Sequence, residues 1–136
     1  MPEHILVPVD GSEQAARALD YVLEEFPDAT ITLLHVFSDG PPEIHLEKRG
    51  EDYDDLRARR REMLDRLVDE RAHGGTIETE VVVGRPSREI VRYADEHDID
   101  RVVMGSHGRD GASRVLLGSV AETVVRRAPV PVTVVR

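Results

Sequence analysis

The chain has 136 residues, a formal net charge of −9 and no cysteine. That length fits one domain with a single core, and 33% charged with 40% hydrophobic residues fits a globular chain rather than a disordered one. The charge argues against holding nucleic acid by phosphate neutralisation, the lack of cysteine excludes disulfides and thiolate chemistry, and no apolar run reaches the ~18–20 residues of a membrane span.

The first predicted strand is His4–Val9, with Pro8 near its end because proline cannot donate a ladder bond. Asp10-Gly11-Ser12 is a turn. A helix follows from about Ser12 to Phe26, with Ala15, Leu19, Val22 and Phe26 on one face. Either Asp10 or Ser12 can cap it, and Pro27 stops it. The second strand is Thr30–Phe37. Residues 38–50 form a loop, its later part a mobile segment or frayed helix start.

The second helix is expected over Glu51–His73, ending at Gly74-Gly75. Tyr53, Leu56, Met63, Leu67 and Val68 make its apolar stripe, interrupted by Arg60. Its arginines at 57, 59, 60 and 61 alternate with acids at helical spacing, so a salt-bridged solvent face is expected rather than a basic binding patch. The third strand is Ile77–Val83, and Glu78 and Glu80 place it nearer an edge. A third helix runs from Pro86 to about Glu96, a fourth strand covers Arg101–Met104, a fourth helix Ser119–Arg127, and a fifth strand Val132–Val135. Strict alternation of strands and helices predicts a parallel sheet covered on both faces, a three-layer α/β/α sandwich. Ligands of such sheets bind beyond the carboxyl ends of strands, where the strand order reverses.

Gly105, Gly108 and Gly118-Ser119 follow the fourth strand with the spacing G-x2-G-x9-G-S. Glycines permit close backbone approach, and a helix N-terminus offers N–H groups to an anion, phosphate above all. A P-loop is rejected because its lysine is missing; the only lysine is Lys48. A Rossmann fingerprint is rejected because Asp10-Gly11-Ser12, not G-x-G-x-x-G, follows the first strand. Ser119 and Glu122 have capping-box spacing, so Ser119 is expected both to cap the last helix and to face a phosphate. His107 lacks a visible partner for general-base work and is read as a turn residue. The histidine spacing predicts no metal site from protein groups alone.

Residues Val102–Arg136 carry Gly-Ser-His-Gly-Arg-Asp-Gly, then Leu-Leu-Gly-Ser-Val-Ala-Glu-Thr-Val, then Ala-Pro-Val-Pro-Val-Thr-Val-Val-Arg. This resembles the C-terminal signature of the universal stress protein family, in its ATP-binding branch. Ile5–Ser12 resembles that family's opening strand and Leu34-His35-Val36 the end of its second strand; only residues 38–50 fall outside the likeness. The resemblance implies an adenine nucleotide alpha-hydrolase-like fold with strand order 3-2-1-4-5. It implies ATP or another adenine nucleotide as ligand, with Mg²⁺ carried on the phosphates near Asp10. Pro8, Asp10, Val36, Met104, Gly105, Gly108, Gly118, Ser119 and Val120 would bind the nucleotide: Asp10 beside ribose or cation, Val36 by its backbone at the adenine, Met104 and Gly105 at base or ribose. Gly118, Ser119 and Val120 would hold phosphates. Arg109 and Arg114 are added from charge alone.

No catalytic residue is assigned. With no lysine at the site and Asp10 the one candidate base, at most slow ATP hydrolysis in a regulatory or stress-response role is expected. A homodimer through the strand at Val130–Val135 would hide its edge. The alternatives are a nucleotide-independent dimeric interaction protein of the same fold and, below it, an adenylating enzyme, which would need a further phosphate loop after the first strand. The start Met1-Pro2-Glu3-His4 carries no signal-peptide pattern, so a cytoplasmic protein is expected. The excess of acids with a single lysine suits either a high-salt proteome or an arginine-favouring GC-rich genome.

Overall fold

The computed structural model describes residues 3–37, 50–71, 73–107 and 117–136, with residues 50–53 described by their backbone alone. In chain order the elements are β1 (His4–Pro8), α1 (Glu13–Glu25), β2 (Thr30–Phe37), α2 (Gly50–Asp69), β3 (Ile77–Val83), α3 (Pro86–Glu96), β4 (Arg101–Gly105), α4 (Ser119–Arg127) and β5 (Val132–Val135). The sheet is parallel with order β3-β2-β1-β4-β5, as the resemblance implied. Ile5 pairs with Ile31 on one side and Arg101 on the other, so β1 is central. Its near-continuous apolar run, Ile5-Leu6-Val7, is fully buried, as a strand covered on both faces must be.

The period of two divides each strand between two cores. Ile5, Val7, Ile31, Leu33 and Val103 meet Ala15, Leu19 and Val22 of α1 and Leu64 of α2. Leu6, Leu34, Val102 and Met104 meet Ile90 and Ala94 of α3 and Ala121 and Val124 of α4. Helix pairs thus cover opposite faces, which right-handed crossovers require when the chain first steps from β1 toward β3 and then back past β1 to β4. That reversal puts the switch point between β1 and β4.

Three expectations change. The second helix stops at Asp69, not near His73. Beyond it Arg71 donates to Leu67 O at 3.1 Å and pairs with Asp20 of α1 at 2.6 Å, turning the chain back onto its neighbour. Leu64, absent from the expected stripe, is fully buried at its centre, and Leu56, Met63, Leu67 and Val68 of that stripe pack half-buried around it. The arginines of α2 also differ from a salt-bridged face. Arg57 donates to Val81 O at 3.1 Å, Arg61 to Thr79 O at 3.4 Å, and Arg60 lies over the Phe37 ring at 5.9 Å. The tertiary partners are stronger than exposed carboxylates one turn away because β3 presents unpaired carbonyls beside the helix.

Candidate functional site at the carboxyl ends of β1 and β4

The turn after β1 is held from three directions. Val9 N–H donates to Leu34 O at 2.9 Å, and the buried His35 donates through Nδ1 to Val9 O at 2.7 Å. A carbonyl only accepts, so this bond fixes the Nδ1–H tautomer of His35. Asp10 Oδ1 accepts Ser12 N–H at 2.9 Å. Gly11 has φ of +87°, which explains glycine there. Ser12 then caps α1, its Oγ accepting from Ala15 N at 3.1 Å. Of the two capping candidates, serine caps the helix while Asp10 shapes the turn before it, with one carboxylate oxygen engaged.

Past β4 the chain enters a second turn. Ser106 is 2% exposed, and each of its polar groups is used. Its N–H donates to Val135 O at 2.9 Å, its carbonyl accepts Gly118 N–H at 2.7 Å, and its hydroxyl donates to Gln14 Oε1 at 3.0 Å. His107 N–H donates to the same Gln14 oxygen at 2.6 Å. Ser106 therefore joins β5, α4 and α1 at one point. Neither Ser106 nor Gln14 was singled out by sequence, since serine and glutamine carry no spacing signal.

Gly118, not Ser119, is the N-cap of α4, with φ −70° and ψ 166°. The expected capping box between Ser119 and Glu122 is thus overturned. The Gly118 amide is drawn onto Ser106 O, which sets the helix start one residue earlier than a serine cap would. Ser119 becomes the exposed first residue of the helix, and its carbonyl accepts from Thr123 Oγ1 at 3.0 Å. Glu122 pairs with Arg126 at 2.5 Å instead of reaching back. A glycine cap has no side chain to satisfy the first-turn N–H groups, so those of Ser119 and Val120 remain for an anion.

The other expected site residues sort by position. Val36, Met104 and Val120 share one apolar cluster with Leu117, on the α3/α4 side of the sheet. Pro8, two residues beyond Leu6, falls on the same side and pairs in register with Leu34. Gly105 ends β4, and a Cβ there would lie 2.9 Å from Gln14 Cβ, so this glycine admits α1 against the strand. Gly108, Arg109 and Arg114 lie outside the described residues. Among the described residues no three His, Asp or Glu side chains are grouped to hold a metal, and no helix is long and apolar enough to cross a membrane.

The comparisons with known proteins agree with this architecture. The family model described as the universal stress protein family matches residues 1–136. Universal stress protein MJ0531 of Methanocaldococcus jannaschii is 36% identical, the match covering 97% of this chain and 81% of that protein. The structure of MJ0577, a universal stress protein of the same organism, superposes with a TM-score of 0.78 at 32% identity, covering 99% of this chain and 96% of the other. A universal stress protein solved in complex with cAMP superposes with a TM-score of 0.64 at 29% identity over 98% of this chain and 96% of its own. With its sheet order, its paired turns at the switch point and a family match over its whole length, this chain belongs to the universal stress protein family.

Proposed function

We propose that the chain binds an adenine nucleotide, ATP foremost, in the crevice between the Asp10 turn and the N-terminus of α4. The observation that carries this is the glycine-capped start of α4, tied through Ser106 to the end of β4 at the switch point. A backbone donor set beside an apolar wall of Val36, Met104 and Val120 suits a molecule with a phosphate at one end and a flat base at the other. The relative solved with cAMP supports the adenine nucleotide class. Ser119 and Val120 would meet the phosphates by N–H groups and the Ser119 hydroxyl, while Gly118 gives close approach, its own N–H being committed to Ser106 O. Mg²⁺ would arrive on the phosphates near Asp10, which cannot itself face an anion without a cation between them.

The role is holding rather than turnover, in a regulatory or stress-response module. Among the described residues the site has no lysine, and Asp10 already gives one oxygen to Ser12 N–H, a poor arrangement for activating water. A two-fold dimer through the β5 edge belongs to the same proposal.

The test is direct. Purified protein is denatured, the released small molecules are identified by mass spectrometry, and the stripped protein is titrated with ATP and Mg²⁺. Bound nucleotide, or saturable binding below millimolar ATP, is expected; neither would leave a nucleotide-independent interaction protein of the same fold. Gly118→Val is expected to abolish binding with the fold retained, because the backbone at 118 is extended and accommodates valine while its branched Cβ obstructs the phosphate approach. Unchanged affinity in that variant refutes the placement.

A further inference from the structure

We infer that Gln14 is the positioning residue of this cradle, an inference that rests on the nucleotide reading above. One atom, Gln14 Oε1, accepts both the Ser106 hydroxyl at 3.0 Å and the His107 N–H at 2.6 Å. Both partners donate, so the amide orientation is fixed: only its oxygen can stand there. Ser106 is buried, its N–H and carbonyl are committed to Val135 and Gly118, and its hydroxyl has Gln14 Oε1 and, at 3.2 Å, His107 Nδ1 as its partners.

The contact is also steric. Gly105 leaves room for the Gln14 main chain, whose carbonyl carbon would stand 3.0 Å from a Cβ at 105. Gln14 therefore grips the β4 turn with side chain and backbone together. It stands in the first turn of α1, two residues beyond the Ser12 cap whose N–H binds Asp10. The Asp10 turn and the β4 turn are thereby joined by a short rigid link across the crevice. No part of Gln14 needs to touch ligand for this; it sets the separation between the two turns that do.

The sequence supports the choice of device. A glutamine is long enough to reach from a helix to a neighbouring turn and neutral, so it adds no charge where phosphates are to bind. Leaving the His107 amide without this acceptor, and the Ser106 hydroxyl with only the longer contact to His107 Nδ1, loosens the turn and weakens what it positions.

The experiment compares wild type, Gln14→Met, which keeps length but loses the acceptor, and Gln14→Glu, which keeps an oxygen in place. ATP affinity is measured by calorimetry, His107 amide exchange by NMR, and the unfolding midpoint by urea titration. Gln14→Met should weaken ATP binding about tenfold and expose the His107 amide to exchange. Gln14→Glu should keep that amide protected, and although its charge opposes ATP, it should bind uncharged adenosine more tightly than Gln14→Met does. Wild-type ATP affinity in Gln14→Met, or His107 exchange equal in all three proteins, overturns the inference. So does weakened ATP binding in Gln14→Met that merely tracks its unfolding midpoint. A wild type that binds neither ATP nor adenosine, with exchange still following the acceptor, refutes the nucleotide reading and Gln14's role toward a ligand, leaving only a structural tie.

Discussion

At position 105 a single methyl group decides how closely α1 can approach β4. It would sit 2.9 Å from Gln14 Cβ and 3.0 Å from the Gln14 carbonyl carbon, and backbone cannot swing aside as a flexible side-chain tip can. Gly105→Ala is therefore expected to destabilise the chain by about 1–3 kcal/mol through overpacking, read as a lower urea midpoint at unchanged slope; an unchanged midpoint would show that the helix yields freely. The sequence exhibits the glycine but not this reason for it, because the neighbour is a residue more than ninety positions away and belongs to a helix. Tyr93 gives a second residue-scale prediction. Burial, followed by the Glu80 carboxylate, raises its phenol above the ordinary value of 10.0, against the opposing hydrogen bond with Thr32. The folded chain thus holds the tyrosine proton more tightly than the unfolded chain. Its stabilisation is complete below pH 10 and is lost as pH rises from there through the raised value. Tyr93→Phe should flatten the alkaline fall of unfolding free energy in that window, and identical slopes in the two proteins would count against the assignment.

At the scale of the element, two helix starts that look alike in sequence behave differently. Ser12 and Ser119 both precede helical runs, and of the two only Ser119 has a carboxylate, Glu122, at capping-box spacing. Only Ser12 accepts a first-turn N–H, from Ala15 at 3.1 Å. Ser12→Ala should cost about 1 kcal/mol of stability, whereas Ser119→Ala should stay within about 0.5 kcal/mol, as an exposed substitution away from a cap does. Equal losses by thermal denaturation would return Ser119 to the cap. The strands and helices were legible because the two periods and the proline and glycine stops are local signals. The cap of α4 and the most buried residue of α2 were not, because each is chosen by a distant partner: Ser106 O for Gly118, the sheet for Leu64. The candidate site follows the same division. Its glycine spacing and apolar wall could be read along the chain, while the tie through Gln14, Ser106 and His35 exists only once β1, β2 and β4 lie side by side.

For the whole molecule, the contrast between the two sheet edges is the basis for testing the proposed dimer. In a parallel ladder alternate residues face the neighbouring strand. Ile31 N–H bonds Thr76 O and Gly84 N–H bonds Phe37 O, so the even residues of the β3 segment face β2 and the odd ones face outward. Two of those outward carbonyls, Thr79 and Val81, are taken by Arg61 and Arg57. That edge is closed by the helix beside it. At the opposite edge Val102 N–H bonds Pro131 O and Ser106 N–H bonds Val135 O, so Val132 and Val134 turn their backbone groups outward. Their side chains are half-buried and apolar, no charge lies within the strand, and Val125 nearby on α4 is 46% exposed. A short uncharged strand with free donors and acceptors is suited to pairing with its own copy about a two-fold axis, where each strand satisfies the other. Val134 is the position to test, because Val132 also packs into the core against α3 and α4 and a change there would confuse folding with association. Val134→Asp should convert a dimer to a monomer in sedimentation, since two carboxylates would face each other across the axis without water. Arg57→Ala with Arg61→Ala should leave the dimer intact and instead promote further, concentration-dependent association through β3. A dimer untouched by Val134→Asp, or broken by the arginine pair, would place the interface on the other edge.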